Sequence, residues 1–367
     1  MQINKLDDTK RKTLANRTIV SIIILFYYIL TLLFSFLSDS TILSLTSTDV
    51  ISSLSTRGIM GIVFVVSFFV PLPMAIYEFN KLIFGKNIKS FIVLLIVSSL
   101  YYLAPNITYI VLKNFVQINR FQVTDKLYLQ TELYFYLSFI LVQSLILFVV
   151  LNTTLILNKK NNVKNTVTIN GLGFVINFGF LSLCYIGLAK SWVLLLFLFF
   201  IIWSTDVFCY LCGSFFGKKQ LVPKISPNKT VEGAIYGAIT ATVITLAYPG
   251  LLLINTSNLL FDKILWVNIG YLVDSKNQTL LTQEAPLYVS WILLIFLILC
   301  LVITCMIGDL LFSYVKRVYE IKDYSNVLRT HGGVLDRLDS ILFTGTCFTI
   351  FFMVIQPIML FWFGKNM

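Results

Sequence analysis

Histidine is all but missing from this 367-residue chain; His331 is the only one, so no site built from several imidazoles can be drawn from it. Charge is also scarce, at 12% of residues against roughly 25% in soluble domains. With 57% apolar residues and a mean hydropathy of +0.86, that scarcity excludes an ordinary soluble domain and leaves a polytopic membrane protein. The six cysteines, Cys184, Cys209, Cys212, Cys300, Cys305 and Cys347, all fall inside predicted spans. They are read as small apolar packers rather than a disulfide framework, the Cys209-x-x-Cys212 pair included. The chain has no Walker-type glycine loop, no low-complexity tract, no obvious linker and no internal repeat. No small-residue cleavage pattern follows the first apolar run, which is expected to be a retained helix.

What the sequence does have is apolar length. Nine segments reach the roughly 20 residues a bilayer span needs: 18–37, 58–77, 90–112, 134–157, 166–188, 190–212, 233–256, 288–314 and 338–362. The fold class expected is therefore an all-α polytopic membrane protein of about nine helices. It divides into an N-terminal region of about four spans (1–165) and a C-terminal region of about five (166–367) that carries every dense polar motif. Lys and Arg resist translocation, and a cytoplasmic N-terminus puts 20 of the 28 on the inside. The expected topology is N-terminus in, C-terminus out, and the net charge of +11 then reflects topology and anionic headgroups rather than nucleic acid.

Two segments on the expected cytoplasmic side carry the polar chemistry. The first, STDVFCYLCGSFFGKKQLVPKISPNKTVEGAIYG, links the sixth and seventh spans. Asp206 lies in its apolar part, where an ionisable residue is costly enough to suggest function, although a helix-end aspartate paired with a lysine is also open. Gly213 and Gly217 bracket the expected helix end. Ser226 is expected to cap a helix starting at Pro227, with Lys229, Thr230 and Glu232 near its first turn. Such an N-terminus suits a phosphate or is an ordinary capped loop. Gly233 and Gly237 form a G-x-x-x-G pattern that points first to close helix packing.

The second segment, from Gly308 to Ser340, packs five acidic and five basic residues around His331. Asp309, Ser313 and Lys316 share one helical face with Arg317 beside it, a face able to hold a metal and an anion together. Lys322 and Asp323 follow in a polar loop, then His331, Gly332 and Gly333, then Asp336, Arg337 and Asp339. The paired glycines let backbone approach a bound group, and the two later aspartates could both face inward. Carboxylates from two elements suit a hard cation such as Mg²⁺. A solvated, salt-bridged loop organised by His331 is the plainer alternative.

The pattern Ser313-x-x-Lys316-Arg317-x4-Lys322-Asp323, followed by His331-Gly332-Gly333-x-x-Asp336-Arg337-x-Asp339, resembles the signature of the phosphatidate cytidylyltransferases, the CDP-diacylglycerol synthases. Gly308-Asp309 and Ser226-Pro227-x-Lys229-Thr230-x-Glu232-Gly233 extend the likeness, which covers roughly 203–237 and 308–340. Arg329-Thr330 stands where that family usually has Pro-Gly, Asn228 where a second lysine is common, and Ser214 where arginine is frequent.

The resemblance implies a Mg²⁺-dependent reaction of CTP with phosphatidic acid at the cytoplasmic face of the cell membrane, giving CDP-diacylglycerol and pyrophosphate. It implies metal ligation by Asp309 and Asp336, and phosphate neutralisation by Lys316, Arg317, Lys322 and Arg337. Ser226, Lys229 and Thr230 would hold one end of the nucleotide or the lipid phosphate. Asp206, Glu232, Ser313, Gly332 and Gly333 would border the substrates, with His331 as loop organiser or phosphate donor. Asp323 and Asp339 would orient bases or metal-bound water. A polar cavity opening sideways beside Asp309 and Asp336 is expected. A second metal or a monovalent cation, and a homodimer, stay open. The rival readings are an ion-coupled transporter or another membrane lipid phosphotransferase, although the D-G-x-x-A-R motif of the CDP-alcohol phosphotransferases is missing.

Overall fold

The computed structural model describes residues 8–38, 50–118, 125–157, 163–190, 192–255, 287–328 and 332–355. Among them are ten α-helices: α1 (Asp8–Ser38), α2 (Val50–Phe69), α3 (Pro71–Phe84), α4 (Ile88–Ile118), α5 (Asp125–Leu157), α6 (Val163–Tyr185), α7 (Trp192–Phe216), α8 (Val231–Asn255), α9 (Leu287–Val318) and α10 (Leu335–Ile350). Single π-turns extend α6 over Ile186–Lys190 and α10 over Phe351–Ile355.

Helices dominate because apolar surroundings offer no water to unpaired N–H and C=O groups, and a helix satisfies its own. Six stretches among the described residues are long and apolar enough to cross a membrane: Thr18–Ser38, Gly58–Phe84, Ile88–Val111, Thr166–Leu188, Trp192–Phe216 and Leu294–Val318. Ile140–Ile156 and Val231–Ala247 are apolar but shorter. Each of the nine expected segments has a helix beneath it, the ninth described only as far as Ile355. The second is divided: Pro71, which has no N–H to leave unpaired, starts α3 directly after α2. Gly85, with φ of +68°, closes α3 and donates its N–H to Lys81 O at 3.1 Å.

The all-α expectation holds, while the helix start expected at Ser226-Pro227 needs correction. A two-stranded antiparallel ribbon, β1 (Gln220–Val222) and β2 (Ser226–Thr230), joins α7 to α8. Ser226 and Pro227 therefore do not start a helix. Pro227 lies on a strand with a single neighbour, where a missing N–H can face solvent. The cap is Thr230, whose Oγ1 accepts the Gly233 N–H at 3.1 Å, and the helix begins at Val231. Glu232 is drawn backwards by the same turn, accepting the N–H groups of Lys218 and Lys219 at 3.0 and 3.1 Å. That carboxylate closes the ribbon onto the start of α8.

Helix α6 is the axis of the bundle, with 83% of its apolar window buried, and α10 packs between it and α9. Small residues permit this approach: a Cβ at Gly179 would lie 2.8 Å from Leu342 Cβ, and one at Gly308 2.9 Å from Phe343 Cβ. The expected Gly233/Gly237 packing is present between α7 and α8. A Cβ at Gly233 would meet Gly213 Cα at 2.7 Å, and one at Gly237 would meet Cys209 N at 2.6 Å. The core is filled by Phe64, Phe79, Phe197, Phe199, Leu342 and Phe348. Exposed Ile235, Ile239 and Val243 form an apolar stripe along α8, as a lipid-facing surface requires.

Candidate active site

The polar residues of four elements meet where α7 and α9 finish and α10 begins. From β2, the Lys229 ammonium reaches Asp309 Oδ2 on α9 at 2.5 Å. Ser313, one turn further along α9, donates its hydroxyl to Asp309 Oδ1 at 3.4 Å. Lys316, on the same face, donates to Asp336 Oδ1 at 2.8 Å, so the spacing of Asp309, Ser313 and Lys316 produces the shared face expected of it. The Lys316 ammonium also lies 5.6 Å from the centroid of the Tyr324 ring.

Asp336 ties this arrangement together. Its Oδ2 accepts two backbone N–H groups, from Gly333 at 2.8 Å and Tyr324 at 3.0 Å, while Oδ1 takes Lys316. The two ion pairs differ in access. Side-chain exposure is 12% and 6% for Lys316 and Asp336, but 29% and 32% for Lys229 and Asp309. The second pair is therefore the one a soluble anion or cation can meet first.

Asp206 enters from α7, accepting the Cys305 thiol at 3.7 Å and the Ser340 hydroxyl at 3.4 Å. It interacts electrostatically with Asp309 and Lys229, and Asp339 interacts with Asp309, Asp206 and Lys316. Three helices thus aim carboxylates into one region that holds two lysines. Among the described residues no three His, Cys, Asp or Glu side chains stand close enough to enclose a metal unaided. The donor chemistry nevertheless fits a hard cation, since the groups are all carboxylates that repel one another, and Mg²⁺ needs only one or two beside water and substrate phosphate.

Other expected residues stand outside these two ion pairs, Asp323 near enough to Asp336 that a Cβ at Gly332 would lie 3.4 Å from Asp323 Oδ1 and 2.9 Å from Asp336 Oδ2. Arg317 is exposed and donates to backbone carbonyls, from Nε to Ile225 at 3.1 Å and from a terminal nitrogen to Ile321 at 3.3 Å, bracing the ribbon against the end of α9. Lys322 and Asp323 are exposed in the loop after α9, and Arg337 is exposed in the first turn of α10. Ser226 sits in β2, opposite Val222. His331, with Arg329 and Thr330, lies outside the described residues. A cavity of about 240 Å³ is walled by Lys81, Tyr319, Asp323 and Tyr324 among others; neither Asp309 nor Asp336 lines it. Burial, with the carboxylates of Asp336, Asp339 and Glu78 nearby, raises the pKa of the Tyr324 phenol well above its ordinary value. Its hydroxyl donates to Phe312 O at 3.2 Å.

One residue was not singled out in the sequence. Glu78 on α3 is fully buried and accepts hydrogen bonds from Ser325 Oγ at 2.5 Å and from the N–H groups of Val334 and Leu335, each at 2.8 Å. It is the lone acidic residue between Asp49 and Asp125, and its place at the edge of a long apolar run was the available signal.

Comparison with known proteins agrees with this picture. Residues 11–355 match the Cytidylyltransferase family. A phosphatidate cytidylyltransferase of Bacillus subtilis (strain 168) is 33% identical over 193 residues, which is 49% of this chain and 58% of that protein. Those of Rickettsia bellii and Haemophilus influenzae are 32% and 34% identical, over 42% and 43% of this chain and 55% and 45% of their own lengths. The chain thus spans about half the length of the curated relatives it matches. Since the family match runs through nearly every helix described above, the chain belongs to the cytidylyltransferase family.

Proposed function

We propose that this protein is a phosphatidate cytidylyltransferase that joins CTP to phosphatidic acid and releases pyrophosphate. The observation that carries the reading is the meeting of Asp206, Lys229, Asp309, Lys316 and Asp336, from separate parts of the signature, in one region of a family member. In the reaction, a phosphate oxygen of the lipid forms a bond to the α-phosphorus of CTP. The bond from that phosphorus to the bridging oxygen breaks, and pyrophosphate leaves. Two anions must approach each other, so the protein's task is mainly positioning and charge neutralisation. The lipid phosphate already presents an anionic oxygen near neutral pH, and no general base is required.

Lys229 and Lys316 are suited to neutralise phosphates, because each ammonium can turn from its carboxylate to an incoming anion. Asp309, more open than Asp336, is the first choice to hold Mg²⁺, with Asp206 or Asp339 close enough to assist and Asp336 supporting the site from the adjoining turn. Mg²⁺, when bound, supplies Lewis-acid stabilisation of the phosphate oxygens. Lys322, Arg337, Arg317 and His331 are assigned outer contacts with phosphate, and Asp323 an outer supporting role. We further infer nine spans in the cell membrane, with the N-terminus and this site cytoplasmic, and a catalytic region within 166–367. The positive-inside count and the cytosolic location of CTP support that orientation.

The test is conversion of CTP labelled at its α-phosphate by purified protein with phosphatidic acid, with and without Mg²⁺, followed by lipid extraction and chromatography. The expected result is Mg²⁺-dependent label in CDP-diacylglycerol. Folded protein that yields no labelled lipid across varied lipid and metal conditions would sink the proposal.

A further inference from the structure

Glu78 has no part in the chemistry above, yet it is the one carboxylate fully buried among the described residues. A carboxylate is tolerated in such a place only when its oxygens are hydrogen-bonded. All three of its donors come from the far half of the chain: the Ser325 hydroxyl and the Val334 N–H reach Oε1, and the Leu335 N–H reaches Oε2. Three donors converge on its two oxygens, and since two of them are backbone N–H groups that can only donate, both oxygens serve as acceptors. The opposing backbone is shaped for it. A Cβ at Gly333 would fall 2.6 and 2.7 Å from the two Glu78 oxygens, and Gly332, at φ of +79°, turns the chain into position. Gly333 and Leu335 flank the segment whose next member is Asp336, and Gly333 donates its N–H to that aspartate.

We propose that Glu78 is a positioning residue for the active site: its carboxylate clasps the 332–335 turn, and the turn aims Asp336 at Lys316. The first half of the chain thereby sets the geometry of the second. The catalytic consequence rests on the function proposed above; the clasp does not.

The test uses the full chain in detergent or nanodiscs and two variants that attack the clasp from opposite sides. Glu78→Gln keeps the shape but turns an amide donor toward either the Leu335 N–H or the Ser325 and Val334 donors. Gly333→Ala pushes a methyl group into the carboxylate. Both should speed hydrogen exchange at the 334 and 335 amides by about tenfold or more while α6 and α7 stay protected. Both should lower kcat by about 10- to 100-fold and leave KM for CTP and phosphatidic acid within about threefold. Unchanged exchange at these amides overturns the proposal. So does faster exchange throughout the bundle, which would make Glu78 a general stability residue, or a rise in KM at constant kcat. If the unaltered protein forms no CDP-diacylglycerol, the functional reading fails while the exchange result still decides the clasp.

Discussion

Replacing Asp336 by asparagine keeps its shape and removes one charge from a pair almost sealed from water. The remaining carbonyl oxygen can still accept the Gly333 and Tyr324 N–H groups, but the new amide nitrogen then faces the Lys316 ammonium at the 2.8 Å once spanned by a hydrogen bond. Breaking a buried pair from one side costs about 3–5 kcal/mol. With Lys316 still 12% exposed, the lower end, about 3 kcal/mol, is expected. Lys316→Met removes the stranded charge, so the double variant should be more stable than the two separate losses imply, by a coupling of about 2 kcal/mol. The assay is SDS titration in mixed micelles, followed by the fluorescence of the five tryptophans. If the two losses add within about 0.5 kcal/mol, the pair makes no energetic contribution and Asp336 is not the hub described.

Asp309→Asn breaks a pair about a third exposed, so stability should change by less than about 1 kcal/mol while turnover falls on the order of 10²-fold. Near-normal turnover in the labelled-CTP assay would remove Asp309 from the site. Gly237→Val forces a side chain onto the backbone of Cys209 and should cost about 1–3 kcal/mol or more. Gly171→Ala, with nothing within 4 Å of the added carbon, should be silent, and equal melting of the two in a thermal shift would contradict the α7–α8 seam. Thr230→Val deletes the cap of α8 and should lower stability by about 1 kcal/mol, read from the same SDS titration; no change there would return the cap to another residue.

Local signals in the sequence were reliable where one segment decides its own structure. Apolar runs located the helices, the Gly233/Gly237 spacing gave the α7–α8 contact, and the heptad-like spacing from Asp309 to Lys316 gave a shared face. The ribbon was misjudged because Ser226-Pro227 carries a helix-start pattern as good as that of Thr230. Pairing between Val222 and Ser226, and the hold of Glu232 on two distant N–H groups, settled the matter instead. The resemblance implied a phosphate role for Arg317, and no local pattern showed that the same side chain also meets the carbonyls of Ile225 and Ile321. Glu78 was invisible for a stronger reason: its three partners lie 247 to 257 residues away, and no local window contains them.

That separation has a consequence for biosynthesis. At translation rates of about 5–20 residues per second, the Val334 amide, 256 positions after Glu78, is made roughly ten seconds to a minute later. Until then a carboxylate destined for a sealed interior has no donors, and α3 should keep its end in contact with water or headgroups. Docking of α3 against the 332–335 turn is then one of the last events of assembly. Chains arrested before α10 emerges should expose Glu78 to aqueous reagents, making an unfinished protein chemically distinguishable from a finished one.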